Sequence, residues 1–170
     1  MLTITQGRVI GMLVALAAPG LVHAQTPPAT WHQLGGPSRN FHVESTPLAE
    51  TWPDDGPPRL WSRPLGEGYS SVVTDGETLV TMFRAGDEEI IIGLDPETGV
   101  TRWQHRYDAP LVHNGYVDIW LNASGPGPYS TPLLTDGVVF AVGIDGRFHA
   151  LDAATGAVRW SHDLATVFDL

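Results

Sequence analysis

Beyond residue 60 the chain alternates apolar and polar positions in short runs, and the runs are separated by turn residues. Alternation of this length predicts strands with one buried face. Four strands are predicted at 69–74, 78–83, 89–94 and 100–105, and four more at 130–135, 138–142, 147–151 and 157–162. Asp75-Gly76, Asp136-Gly137 and Asp145-Gly146 fall between predicted strands. They read as hairpin turns, because Gly and, to a lesser extent, Asp adopt positive φ cheaply. No window after residue 24 carries apolar residues at helical spacing for three turns, so no helix is expected.

The two groups of four strands repeat each other. Gly93-Leu94-Asp95-Pro96-Glu97-Thr98-Gly99 leads to Arg102-Trp103 just as Ala150-Leu151-Asp152-Ala153-Ala154-Thr155-Gly156 leads to Arg159-Trp160, at an offset of 57 residues. Upstream, Thr74-Asp75-Gly76 matches Thr135-Asp136-Gly137 at an offset of 61. The difference is expected in the tip between Phe83 and Glu89, since a repeated β-unit tolerates length changes in turns. Within the repeat, Asp95 and Asp152 are placed to cap turn amides, and Gly99 and Gly156 to take the left-handed closing position. Trp103 and Trp160 then lie on the next strand, placed to pack against a neighbouring unit. Four-stranded units of this period with a recurring Trp describe an all-β protein of the propeller type. Two blades are expected, at about 69–106 and 129–163, within a partial propeller over 59–170.

Composition narrows the class. The 170 residues include 19 Gly and 14 Pro, too many turn-formers for a helical bundle. The hydrophobic fraction of 42% with six Trp is too apolar for a disordered chain. There are 19 acidic residues against nine basic ones, all Arg and unclustered, which argues against nucleic acid and anionic lipid as partners. The chain has no Cys, so disulfides, thiolate metal sites, a Cys nucleophile and a lipid-bearing N-terminal Cys are excluded.

Residues 1–24 read as a secretory signal peptide. Arg8 supplies a positive start, 9–18 an apolar run, Pro19-Gly20 a break, and Val22-His23-Ala24 a small-x-small cleavage site before Gln25. The apolar run is too short to span a bilayer as a helix. The expected location is therefore periplasmic or secreted, with no membrane span after cleavage. Residues 25–58 form a Pro/Gly-rich lead.

The pattern Ala-x-Asp-x-x-Thr-Gly-x-x-x-Trp, complete in the second copy and with Gly93 for Ala in the first, resembles the tryptophan-docking motif of the PQQ-like (pyrroloquinoline quinone) β-propeller repeat family. That family takes in both BamB-like assembly proteins and quinoprotein dehydrogenases. The resemblance implies that Asp95, Thr98, Gly99, Trp103, Asp152, Thr155, Gly156 and Trp160 form a structural docking motif, with Trp103 and Trp160 stacked between neighbouring blades. Arg59-Leu60-Trp61 is similar to the outer-strand pieces Arg102-Trp103 and Arg159-Trp160 but has no Asp-x-x-Thr-Gly before it. Closing a propeller takes roughly four to eight blades, so further blades of a larger propeller are expected and the sequence reads as its N-terminal part.

The repeat leaves little for chemistry. His32, His42, His105, His113, His149 and His162 show no metal-ligand spacing and read as surface or hydrogen-bonded strand histidines. Asp87-Glu88-Glu89 reads as a solvated acidic hairpin tip. The least repetitive stretch, 107–129, carries Tyr116, Asp118, Trp120 and Asn122, which suit a loop that binds a protein or glycan partner. The expected function is that of an exported, non-catalytic scaffold or binding surface without a cofactor. The alternative implied by the resemblance is the N-terminal part of a PQQ-dependent quinoprotein dehydrogenase, with PQQ and calcium. No residue matches a catalytic or calcium-binding motif of those enzymes.

Overall fold

The computed structural model describes residues 30–42, 49–111, 119 and 125–169. Two antiparallel sheets of four strands follow one another along the chain. The first contains β1 (Val73–Thr74), β2 (Leu79–Ala85), β3 (Glu88–Leu94) and β4 (Thr101–Asp108), side by side in chain order. The second contains β5 (Leu133–Thr135), β6 (Val138–Val142), β7 (Arg147–Asp152) and β8 (Val158–Asp163), in the same order. Each sheet is one propeller blade. A short helix, α1 (Leu164–Phe168), follows β8 and is capped by the Asp163 side chain, which accepts from the Thr166 amide at 3.2 Å. It corrects the expectation of a helix-free chain; at five residues it is too short for an apolar period to reveal it. Among the described residues no helix is long and apolar enough to cross a membrane.

The innermost strands are shorter than their apolar runs. Residues 69–71 bond to the second blade instead of extending β1: Tyr69 donates its amide to the Pro128 carbonyl at 2.8 Å, and Ser71 to Thr131 Oγ1 at 3.2 Å. On β5 the ladder starts after Pro132, which has no N–H to contribute. The lead ties the two inner edges together. Trp31 exchanges backbone bonds with Thr74 at 2.8 and 2.9 Å, while the His32 carbonyl accepts from Leu134 at 2.8 Å.

Pairing corrects where the two units differ in length. Leu79 stands opposite Leu94, and Val139 opposite Leu151, so the β2–β3 hairpin is three residues longer than β6–β7. The fourth residue of the difference is a step of register: Thr74 pairs with Leu79 as Leu134, and not Thr135, pairs with Val139, and the second blade carries its ladder on to Thr135 and Val138 across the two-residue Asp136-Gly137 turn. Both of those residues have positive φ, at 50° and 70°, as the tightest hairpin turn requires.

Alternation decides which face meets which neighbour. Val73, Val80, Met82, Ile91 and Trp103 of the first blade pack against Leu134, Val139, Ala141, Leu151 and Ala153 of the second. The other face of the first blade, with Ile90, Ile92 and Leu94 beside Leu79 and Phe83, is buried as well. The segment just before β1 lies against this blade: Glu67 and Arg84 exchange backbone bonds along the edge of β2 at 2.7 and 3.0 Å, and Gly66 passes so close to the Arg84 carbonyl and the Phe83 ring that a side chain would not fit. The far face of the second blade has no such cover among the described residues. Phe140, Phe148 and Trp160 cluster there, with centroids 5.1–6.2 Å apart, and β8 is exposed along its length.

Candidate functional site

The two Asp-x-x-Thr-Gly turns are built alike. Asp95 Oδ1 accepts from the amides of Glu97 and Thr98 at 3.1 and 2.9 Å and from the Thr98 hydroxyl at 2.8 Å, and Asp95 Oδ2 pairs with Arg102 at 2.8 Å. Asp152 repeats this with Ala154, Thr155 and Arg159 at 3.2, 3.1 and 2.8 Å, and with the Thr155 hydroxyl at 2.9 Å. Gly99 and Gly156 close the turns at φ +69° and +71°. The guanidinium beside each Asp, followed by the Thr hydroxyl, holds the carboxyl down at about 2.

Each turn receives the indole of the unit before it. Trp103 Nε1 donates to the Ala153 carbonyl at 2.8 Å, and its ring covers Gly156 so closely that a Cβ there would stand 2.5 Å from it. Trp61, which lies outside any strand, does the same to the first blade: its Nε1 donates to the Pro96 carbonyl at 2.9 Å, and a Cβ on Gly99 would stand 2.6 Å from its ring. Arg63 adds a bond to the Gly99 carbonyl at 2.9 Å. Pro96 and Ala153 are the same position of the repeat. Trp61 is thus a docking residue that the sequence identified only as a strand fragment. Trp160 is 38% exposed, against 7% for Trp103, and meets no turn among the described residues.

A second constellation lies at the opposite end of the blades, where the β2–β3 hairpin meets the tip at 143–146. It centres on Glu89, which is fully buried and corrects the reading of the acidic tip as solvated. Its carboxylate accepts from Tyr107 Oη at 2.7 Å and from the Ile144 amide of the second blade at 3.1 Å, and lies 3.5 Å from Arg84 Nη2. Arg84 is itself 1% exposed and donates to the carbonyls of Pro126 and Gly86 at 3.2 and 3.1 Å. The hairpin extension therefore grips the second blade through a buried charge pair, whereas Glu88 beside it makes only an exposed pair with Arg106 at 3.1 Å.

His149 completes this end. Against the expectation of a surface or hydrogen-bonded residue, it is 2% exposed and neither ring nitrogen has a hydrogen-bond partner among the described residues. Its ring packs 4.3 Å from Tyr107 and 4.9 Å from His105, and Arg147 sits 5.6 Å from the Tyr107 ring. Burial, and then the nearby His105 and Arg147, push His149 down to about 4. Burial likewise lowers His105, and burial with the Glu89 bond raises the Tyr107 phenol. A sequence signal for this site did exist. Arg84 continues the inward phase of Val80 and Met82, Glu89 that of Ile91, and the two stand directly opposite each other.

Tyr116, Asp118, Trp120 and Asn122, like the signal peptide expected at 1–24, lie outside the described residues. Among the described residues no three His, Asp or Glu side chains are arranged to hold a metal ion.

A family model described as outer membrane protein assembly factor BamB matches residues 44–167. Among solved structures, the crystal structure of BamB from Moraxella catarrhalis is similar at 27% identity with a TM-score of 0.43. That match covers 61% of this chain and 26% of the other, so it takes in about a quarter of that protein's length. No curated protein matches the chain.

Proposed function

Since the chain belongs to the PQQ-like repeat family described as outer membrane protein assembly factor BamB, we propose that it is an exported, non-catalytic propeller segment that presents a binding surface to a protein or glycan partner. The observation that carries this reading is the use made of the repeat's motif. Its Asp, Thr and Gly form the turn, and the Trp of the unit before docks on that turn. The motif residues are thus committed to holding blades together, and what varies between units is the hairpin tip and the connection 109–128. Binding is assigned to that connection, with Tyr116, Asp118, Trp120 and Asn122 as the contact residues and further blades completing the ring. An aromatic ring with a polar tip serves such a contact well, because it covers apolar surface while keeping a hydrogen bond. PQQ and calcium have no role in this reading.

Two measurements on the full chain test it. A photo-crosslinker at position 120, expressed with the export signal in a bacterial host, is expected to trap an envelope protein or glycan, while the same probe at exposed position 154, on the docking turn, traps none. Equal trapping at both positions removes that assignment. Titration with PQQ and Ca²⁺ is expected to show no saturable binding; saturable binding would sink the non-catalytic reading. Mass spectrometry of the exported product is expected to find Gln25 at the N-terminus.

A further inference from the structure

We propose that the joint between the two blades is acid-labile: protonation of His149 parts the two sheets while each stays folded. The inference is independent of any partner or ligand. The imidazole is 2% exposed, has no hydrogen bond at either nitrogen among the described residues, and packs at the boundary of the two sheets. A neutral imidazole is tolerated there because its neighbours are rings, Tyr107 at 4.3 Å and His105 at 4.9 Å. An imidazolium would bring two N–H donors and a charge into a buried place where no described residue turns an acceptor to it.

The groups facing His149 do not rescue the cation. On β4, His105 is a second buried imidazole with an unpartnered Nε2, and Tyr107 commits its hydroxyl to Glu89. On β7 itself, Arg147 adds a positive charge nearby. On β2, Arg84 is a buried cation engaged with Glu89 from β3. Among the described residues Asp145, on the tip between β6 and β7, is the one anion that favours the charged form, and it is turned to Arg147, at 3.6 Å from its Nε. Residues paired with His149 in the sheet, Ala141 and Ser161, carry no charge. Relief comes from separating the sheets, because the ring borders the other blade and its own strand is held independently by β6 and β8.

The direction of the pH effect follows from linkage. The closed joint keeps His149 neutral down to about 4, whereas an opened joint exposes an ordinary imidazole near 6.5. The opened form therefore binds the extra proton between those values. Closure is at full strength above pH 6.5 and weakens as pH falls toward 4, by up to about 300-fold in the opening equilibrium.

Hydrogen exchange on the full chain tests this. Between pH 7 and 4.5, after correction for intrinsic rates, the Ile144 amide and the Trp103 indole N–H are expected to open about 100-fold more often. Both bond across the joint, to Glu89 and Ala153. The Ile91 amide, inside one sheet, is expected to keep its protection. His149→Phe, which keeps a ring but cannot take a proton, is expected to abolish the rise. A rise that persists in H149F, as protonation of Glu89 would produce, overturns the proposal. If H149F does not fold, NMR titration of the His149 imidazole in the native chain decides: protonation only well below 6.5 supports the proposal, and an ordinary value near 6.5 defeats it.

Discussion

The two blades share one repeat and differ in how they are covered. The first is enclosed on both sides, by the segment that carries Trp61 and by the second blade, and Ile90, Ile91 and Ile92 are all fully buried. Among the described residues the second is enclosed on one side only, with Val158 and Trp160 exposed at 48% and 38%. Trp103 and Trp160 occupy the same repeat position, yet of the two Trp103 alone is buried and bonded to a described residue. The difference teaches that the motif acts between units: Trp103 of the first blade docks on the turn of the second, as Trp61 docks on the turn of the first. The structure also accounts for the one departure within the motif. Gly93 stands opposite Trp103 in the ladder, and a side chain there would run into the indole; Ala150 stands opposite the exposed Trp160.

The largest test of this comparison is to remove each indole. Trp103→Ala deletes a buried ring and its bond to Ala153, and is expected to cost about 3–5 kcal/mol in urea denaturation. Trp160→Ala is expected to cost less than about 1 kcal/mol. Equal losses would mean that the far face of the second blade is covered as well. The hairpin extension that the first blade alone possesses comes next. Glu89→Ala strands the buried Arg84 guanidinium and leaves the Tyr107 hydroxyl and the Ile144 amide unpaired, at about 3 kcal/mol. The adjacent Glu88→Ala touches only an exposed pair and should stay within about 0.5 kcal/mol by the same measurement.

Smaller effects probe the turns. Gly99→Ala and Gly156→Ala each force a left-handed backbone onto a side chain and press a Cβ into an indole, for about 1–3 kcal/mol apiece. If the lead holds Trp61 less firmly than β4 holds Trp103, then Gly99→Ala should be the milder change, because Trp61 can retreat. The smallest effect is in acid. Asp95 and Asp152 are ionised down to about 2, below the ordinary value near 4. Their contribution is complete above pH 4 and is lost as pH falls toward 2. An acid titration followed by far-UV circular dichroism should show that Asp95→Asn and Asp152→Asn flatten this window about equally, since the two turns are alike.

What the sequence revealed was local. The turns were legible because Asp95 and Thr98, or Asp152 and Thr155, interact within four residues of each other, and the strands because alternation is a property of neighbours. The partner of each indole lay out of reach of such reasoning: the repeat places Trp103 against a neighbouring unit, but its bond is to Ala153, fifty positions away. The buried cluster was missed for a related reason. A charged hairpin tip is solvated unless something covers it, and what covers Glu89 is the amide of Ile144, from the other blade. The inward phase of Arg84 and Glu89 was there to be read, but charge outweighed phase. The register step at the first turn is hidden from the sequence because the Thr-Asp-Gly match, exact in letters, is one position out in space.

The arrangement of Trp61 and Trp103 has an evolutionary consequence. Each unit offers a socket on one side and a plug on the other, and the pairing has a fixed direction along the chain. A duplicated unit inserted between two existing ones would arrive with both fittings, so the array can lengthen without a new interface having to be invented. Novelty is then free to accumulate where the fittings are absent, as in the three-residue extension that carries Arg84 and Glu89.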